Sequence, residues 1–204
     1  MNRYSFLIET YETERLKTLS VWSQFHDSDF EFRPEPRART PHEHMVHQCV
    51  SEDTWMKNML GIEVSLAPLP KQESKLEFIK HYAAASGERQ LKLESMPEEW
   101  FEGIAAFFDV QRSRAWIVTR RITHSAHHRG QLVAYLRALG YDLYSTYGPA
   151  ADTGGLFQNH APVIYRYTSI ESLIEAEEQG GSRPPLPGPG DKSATERPDA
   201  ERQN

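Results

Sequence analysis

The segment from Gln111 to Leu139 places the strongest constraint on the fold of this chain. Its apolar residues recur at helical spacing, which predicts one long amphipathic helix that ends at Gly140. The apolar arc of this helix contains Val118, Ile122, Leu132, Val133, Leu136 and Leu139. Two histidines, His124 and His128, lie on one flank of that arc. Both imidazoles are therefore expected to face the edge of the core.

His124 and His128 are separated by one helical turn, which places both on the same face of the helix. Two imidazoles in this arrangement can bind one metal ion. Imidazole is a common ligand of zinc, nickel, copper and iron, so the pair alone does not identify the metal. The alternative is a pair of polar residues, each satisfied by its own hydrogen bond. His127 projects about 100° away from His128 and is predicted to be solvated.

Three further helices are predicted upstream of this segment. The first runs from Phe6 to Phe25. The second begins at Thr40-Pro41-His42-Glu43, which is a capping box with proline at the first helical position, and ends at Gly61. The third runs from Gln72 to Ser95. Gly87 lies inside it and costs a helix about 1 kcal/mol relative to alanine, which weakens the prediction of a continuous helix.

The composition changes after Gly140. Residues 141–153 are rich in Tyr, Gly, Asp and Thr, which favours an ordered loop, and residues 162–167 favour a short strand or an extended arm. We therefore divide the chain into a helical bundle with a C-terminal arm (1–170), a short acidic helix (171–179) and a tail (180–204). The tail is predicted to be disordered, because it is rich in Gly, Pro, Ser and charge and has little apolar surface to bury.

Length and composition exclude several classes of protein. A chain of 204 residues is long enough for one good core but short for two full domains. The net charge of −6 argues against a nucleic-acid surface. The single cysteine, Cys49, excludes an intramolecular disulfide and fits a reducing compartment. No apolar run approaches the roughly 20 residues that span a bilayer, and no signal peptide is visible. We therefore expect a cytoplasmic protein that contacts no membrane.

A metal ion held by the histidine pair needs at least one further ligand. The second helix offers five candidates, namely His42, His44, His47, Glu52 and Asp53. The apolar stripe of that helix consists of Met45, Cys49, Met56 and Leu60. His47 points nearly opposite the centre of this stripe, whereas Asp53 lies within the apolar arc. Helical periodicity therefore does not select His47, and Asp53 is a rival ligand.

Two histidine-containing motifs lie on different helices. One is His47-Gln48-Cys49-Val50-Ser51-Glu52 on the second helix, and the other is His124-Ser125-Ala126-His127-His128-Arg129-Gly130-Gln131 on the fourth. Together they resemble the motifs of the DinB family. The stretch Tyr147–Gly155 is similar to one that follows the bundle in some members. The resemblance covers roughly residues 5–170. It implies an all-α, DinB-like four-helix bundle with a C-terminal extension and a disordered tail, in which His47, His124 and His128 are the metal ligands.

Several functional expectations follow from this resemblance. Members of the family are often homodimers, and some are thiol-dependent transferases or isomerases. Three histidines and an open position are typical of a catalytic divalent metal, with zinc or nickel expected here. We therefore expect an enzyme that activates water or a low-molecular-weight thiol toward a small-molecule substrate, as a hydrolase or a thiol S-transferase. The alternative is a non-catalytic, metal- or small-ligand-binding module of a stress response.

Three polar residues are candidates for roles beside the metal. Glu52 could act as a base, Arg129 as an anion clamp and Gln131 as a hydrogen-bond partner of a ligand. Each also has a purely structural interpretation. Arg129 lies near the centre of an apolar arc, where an arginine is rare unless it is paired, so a buried carboxylate partner is expected. The aromatic-rich stretch from Trp100, which is expected to be partly extended, could be a dimer face, a pocket lid or ordinary core.

Overall fold

Four long α-helices form the body of the computed structural model, which describes residues 2–191. They are α1 (Ser5–Trp22), α2 (Pro41–Leu60), α3 (Lys75–Glu94) and α5 (Arg114–Ala138). Two short helices, α4 (Glu98–Glu102) and α6 (Ile170–Glu178), accompany them. Single 3₁₀ turns lie at Asp27–Asp29 and Phe157–Asn159. The prediction of a helical fold is confirmed, because the regular strands among the described residues are limited to one hairpin.

That hairpin joins α4 to α5. Strand β1 (Ile104–Phe107) pairs antiparallel with strand β2 (Val110–Ser113), in a register that places Ile104 opposite Ser113. The Phe-rich stretch is therefore partly extended, as the sequence predicts. The prediction that α5 begins at Gln111 is wrong by three residues, because residues 111–113 pair with β1. The helix begins at Arg114, where the Ser113 hydroxyl accepts a hydrogen bond from the Trp116 N–H at 3.3 Å.

Helix α2 begins and ends at the residues that the sequence predicts. The Thr40 hydroxyl accepts the Glu43 backbone N–H at 3.2 Å, and the Glu43 carboxylate accepts the Thr40 N–H at 2.9 Å. Gly61 ends the helix with a φ of +69°, a backbone conformation that favours glycine. Helix α3 is continuous through Gly87. A Cβ atom at position 87 would lie 3.1 Å from the Arg15 guanidinium, so glycine makes room for that side chain.

The long helices pack side by side, with α1 against α3 and α5, and α2 against α5 and α3. The buried apolar residues form two clusters, one around Trp22 and Phe78 and the other around Met56 and Phe101. Because α2 and α5 are in contact, side chains on their facing flanks meet at the edge of the core. None of the helices in residues 2–191 is long and apolar enough to cross a membrane.

The C-terminal segment returns to the bundle. Residues 162–167 form an extended arm without regular strand pairing in the described structure, and the Ile164 carbonyl accepts the Ser145 N–H at 2.9 Å. Disorder is predicted from Gly180, yet residues 180–191 make defined contacts. The Arg166 side chain donates to the Ser182 carbonyl at 2.7 Å, and the Tyr144 hydroxyl donates to the Pro184 carbonyl at 2.6 Å. Polar anchors thus hold a segment in which Leu186 is the one large aliphatic side chain. Residues 192–204 lie outside the described residues.

Candidate metal centre

Three histidines converge where α2 faces α5. His47 comes from α2, and His124 and His128 come from successive turns of α5. One ligand nitrogen from each of the three lies within 4.8 Å of the others. The ring centroid of His47 lies 5.4 Å from that of His124 and 4.6 Å from that of His128. This group could hold a metal ion, and it consists of the three residues that the family resemblance implies.

The geometry of the α5 pair fits a metal ion between the two rings. The Nε2 atoms of His124 and His128 lie 3.2 Å apart. Tetrahedral metal–nitrogen bonds of about 2.0–2.1 Å would place two such nitrogens about 3.4 Å apart. The Nδ1 atom of His128 lies 2.9 Å from the Gln131 Oε1, so an Nδ1–H that donates to Gln131 leaves the Nε2 lone pair toward His124. Gln131 is thus a hydrogen-bond partner of the His128 ring.

The site keeps its histidines neutral. Burial, followed by the nearby Arg121 charge, lowers the pKa of His124 to about 3. Burial likewise lowers the pKa of His128 to about 4, against the hydrogen bond to Gln131, which raises it. Burial and the Arg39 and Arg121 charges lower the pKa of His47. Neutral imidazole is the metal-binding form, so at neutral pH a metal ion would displace no protons from these rings.

His47 reaches the site because α2 buries a broad arc rather than a narrow stripe. Its apolar stripe points into the core, while the flank that carries His47 faces α5 and is half-buried. The rival ligand Asp53 does not join the cluster. Its carboxylate accepts a hydrogen bond from the Arg89 guanidinium at 3.1 Å. The contact of α2 with α5 decides that His47, and not Asp53, joins the cluster. A helical wheel of α2 alone does not include that contact.

His44 is a fourth histidine beside the cluster, and the sequence does not single it out. It is 1% exposed, and its ring centroid lies 5.3 Å from that of His128. Burial, followed by the charge of a protonated His128, lowers its pKa to about 4. Its Nδ1 atom has no hydrogen-bond partner among the described residues. His44 precedes His47 by three residues, and this same-face spacing was the available signal.

The chain is similar to known proteins in sequence and in fold. The sequence profile of the DinB family matches residues 1–156. The chain belongs to the DinB family. It is similar in fold to a DinB-like protein from Bacillus cereus ATCC 10987, with a TM-score of 0.58 and 18% identity over 69% of this chain and 95% of the other. A DinB-like protein from Bacillus subtilis gives a TM-score of 0.57 and 16% identity over 69% and 96%. Comparison with curated proteins gave no match.

Glu52 has a structural role in this DinB-family chain. It is fully buried, and it accepts hydrogen bonds from the hydroxyls of Tyr11 at 2.5 Å and Tyr82 at 2.8 Å. The guanidinium groups of Arg89 and Arg121 lie 3.5 and 3.7 Å from its oxygens. Burial alone would raise the pKa of Glu52, but the two arginines and the two hydroxyls outweigh it and hold the pKa below its usual value. A carboxylate so fully engaged is a poor proton acceptor.

Arg129 also has a structural partner. It is 1% exposed and pairs with the carboxylate of Glu14 on α1, the buried acidic partner that its place in the apolar arc predicts. Its guanidinium also donates to the Thr18 hydroxyl at 3.0 Å, and the Tyr147 hydroxyl donates to Glu14 at 2.7 Å. Arg129 therefore ties α5 to α1 and to the loop after the bundle. These contacts give it a structural role rather than that of an anion clamp.

Aromatic rings close one side of the histidine cluster. The Trp55 ring lies 5.1 Å from the His124 ring, at an interplanar angle of 35°. The hairpin continues this wall, with Phe107 and Phe108 at 5.3 and 5.9 Å from Trp55. Phe101 is buried in the core, whereas Phe108 is 67% exposed. The aromatic-rich stretch thus divides into core residues and a wall beside the site.

Proposed function

We propose that His47, His124 and His128 bind one divalent metal ion, zinc or nickel. The observation that carries this proposal is the 3.2 Å separation of two imidazole nitrogens with a third imidazole in reach. All three donors are nitrogen atoms, a set that suits zinc and nickel and does not suit magnesium or calcium. The lowered pKa values of the rings support the same conclusion, because they leave the ligands neutral at neutral pH.

We further propose that the protein is a metal-dependent enzyme, a hydrolase or a thiol S-transferase that acts on a small molecule. Three histidine ligands would leave one coordination position of the metal open, and the metal would lower the pKa of a water molecule or of a low-molecular-weight thiol bound at that position. The side chains of the protein supply the surroundings. Gln131 fixes the orientation of His128. Trp55 and the hairpin aromatics keep water from one side of the site.

One observation supports the alternative of a non-catalytic binding module. No carboxylate among the described residues joins the group of ligand atoms, and the three acidic residues of α2, Glu43, Glu52 and Asp53, are each paired with an arginine. A protein side chain is therefore not evident as a general base, and catalysis would depend on the metal and its bound water or thiol.

The test is metal content followed by turnover. Protein purified without chelators is expected to contain about one zinc or nickel ion per chain by mass spectrometry. The loaded protein is then assayed with a panel of low-molecular-weight thiols and electrophiles, and with hydrolysable esters and amides. Turnover that disappears after chelation and returns with metal supports the enzyme. Stoichiometric metal without turnover across the panel favours the binding module, and a lack of stoichiometric metal contradicts both.

We also propose a homodimer. The hairpin region exposes large apolar side chains at Ile104 (62%), Phe108 (67%) and Trp116 (40%), which a second copy of the chain would cover. Light scattering is expected to give twice the 23.5 kDa mass of the chain. In the variant Phe108→Ser the dimer is expected to weaken, and a monomeric mass for the unmodified protein would contradict the proposal.

A further inference from the structure

A polar hollow of about 550 Å³ adjoins the histidine cluster. Its walls come from the loop between α1 and α2, from the start of α2 and from the second half of α5. Gln131 lines the hollow and also contacts the Nδ1 atom of His128 at 2.9 Å. Buried His44 lines it as well, 5.3 Å from the His128 ring. A molecule held in the hollow would therefore lie beside the proposed metal ligands.

The loop places three arginines around this hollow, and two of them are neutralised. Arg33 pairs with Glu43 at 2.8 Å, and Arg37 pairs with Glu35 at 3.0 Å. The side chain of Arg39 makes no hydrogen bond or ion pair with any residue from 2 to 191. Arg39 also lines a neighbouring hollow together with His47, so its charge lies between the two openings beside the cluster. The hollow thus carries about one uncompensated positive charge.

Hydrogen-bond donors without partners surround that charge. Tyr135 and Gln131 both line the hollow, and neither the Tyr135 hydroxyl nor the Gln131 side-chain amide nitrogen makes a hydrogen bond to a described residue. Together with the Arg39 guanidinium they form a set of donors that lacks an acceptor. Such a set is complementary to a negatively charged oxygen ligand.

We propose that this hollow binds the carboxylate of a small organic acid, with Arg39 as the charged partner and Tyr135 and Gln131 as neutral donors. One free positive charge matches a carboxylate, which carries a single negative charge, better than a phosphate group, which carries about −1.5 to −2. This inference rests on the proposed function insofar as the rest of the acid reacts at the histidine cluster. It narrows the small-molecule substrate or thiol to one that carries a carboxylate.

The test uses two thiols of nearly the same size and shape, the anion β-mercaptopropionate and its neutral amide, β-mercaptopropionamide. Protein loaded with cobalt in place of zinc is titrated with each, and the thiolate-to-cobalt absorption band reports binding. We expect the acid to bind about tenfold more tightly than the amide, because a charge-assisted contact is lost with the amide. The variant Arg39→Gln should reduce this ratio to near one, and Tyr135→Phe should reduce it by a smaller factor.

The matched control is Arg112→Gln, which removes the same charge from an exposed arginine on β2. Arg112 does not line the hollow. It should keep the full preference for the acid. Equal affinities of the unmodified protein for the acid and the amide, or an unchanged preference in Arg39→Gln, would overturn the proposal. If inorganic phosphate competes with β-mercaptopropionate at lower concentrations than butyrate does, the assignment to a carboxylate would be overturned.

A second measurement separates this proposal from the proposed function. Metal-free protein is titrated with butyrate, and nuclear magnetic resonance follows the side-chain N–H signals of Arg39 and Gln131. Saturable shifts of both signals in the unmodified protein, with no shift of the Gln131 signal in Arg39→Gln, support the carboxylate site even where no metal or thiol binds. If metal and thiol bind but butyrate gives no saturable shift, the proposed function stands and the carboxylate site is wrong.

Discussion

Replacing His124 with alanine is expected to lower the affinity for zinc by more than about 100-fold, since loss of an outer hydrogen-bond partner alone costs about 10–100-fold. His124 is half-buried, and its Nε2 atom lies 3.2 Å from that of His128. Alanine removes one of the three proposed ligands, and no carboxylate among residues 2–191 belongs to the group to replace it. Competition with a chromophoric chelator measures the affinity, and mass spectrometry measures the metal content of the purified variant.

A graded series of variants sharpens this expectation. Gln131→Ala should cost about tenfold, because it removes the partner of His128 but no ligand. His127→Ala is the matched control, since His127 is adjacent to His128 in sequence, is exposed and lies outside the ligand group. Its zinc affinity should be unchanged. Equal metal content in His124→Ala and His127→Ala would show that the cluster is not the metal site.

The choice of the α2 ligand is tested in the same way. His47→Ala should lose zinc as His124→Ala does, whereas His44→Gln should retain it, because His44 lies outside the group whose nitrogens converge. The reverse result would assign the third ligand to His44. The sequence could not separate these two residues by periodicity, since both lie within one turn of α2. The family resemblance selects His47, and the structure brings that residue into the group.

Local signals in the sequence account for much of the fold. The capping box at Thr40 and the glycine at position 61 bound α2 correctly, because caps are satisfied by neighbouring backbone groups. The start of α5 is not predicted, because the residues before it pair with a strand that a helical pattern does not reveal. The contacts of residues 180–191 are not visible in the sequence for a similar reason. They run through the side chains of Arg166 and Tyr144, which lie far away in sequence.

For the buried polar residues, too, the sequence indicates that a partner is needed but not which residue provides it. Arg129 in an apolar arc predicts a buried carboxylate partner, and Glu14 is that partner. The pattern cannot say which carboxylate it is, because the two residues are 115 positions apart. Glu52 next to a histidine motif suggests a catalytic base. Only the packing of α1, α3 and α5 around α2 shows that four other side chains already occupy its oxygens.

Replacing Glu52 with glutamine is expected to lower the free energy of unfolding by about 3–5 kcal/mol, because it leaves two buried arginines without their shared counter-charge. Arg89 and Arg121 are 2% and 0% exposed, so water cannot replace the carboxylate. A loss of this size is a large part of a typical domain stability of about 5–15 kcal/mol. Urea unfolding of the metal-free protein measures it. The matched control Glu12→Gln, on the exposed face of α1, should change stability by less than about 0.5 kcal/mol.

The effect of Glu52 should also depend on pH. Its pKa is lower in the folded protein than in the unfolded chain, where a glutamate has a pKa of about 4.3. The unfolded chain therefore takes up the proton first as the pH falls, and acid favours unfolding. The stabilising contribution of Glu52 is fully present above about pH 4.3 and is lost as the pH falls toward the pKa of the folded protein. The difference in free energy of unfolding between the unmodified protein and Glu52→Gln should therefore become smaller in that pH range. A Glu52→Gln variant as stable as Glu12→Gln at neutral pH would instead return Glu52 to consideration as a base for the metal centre.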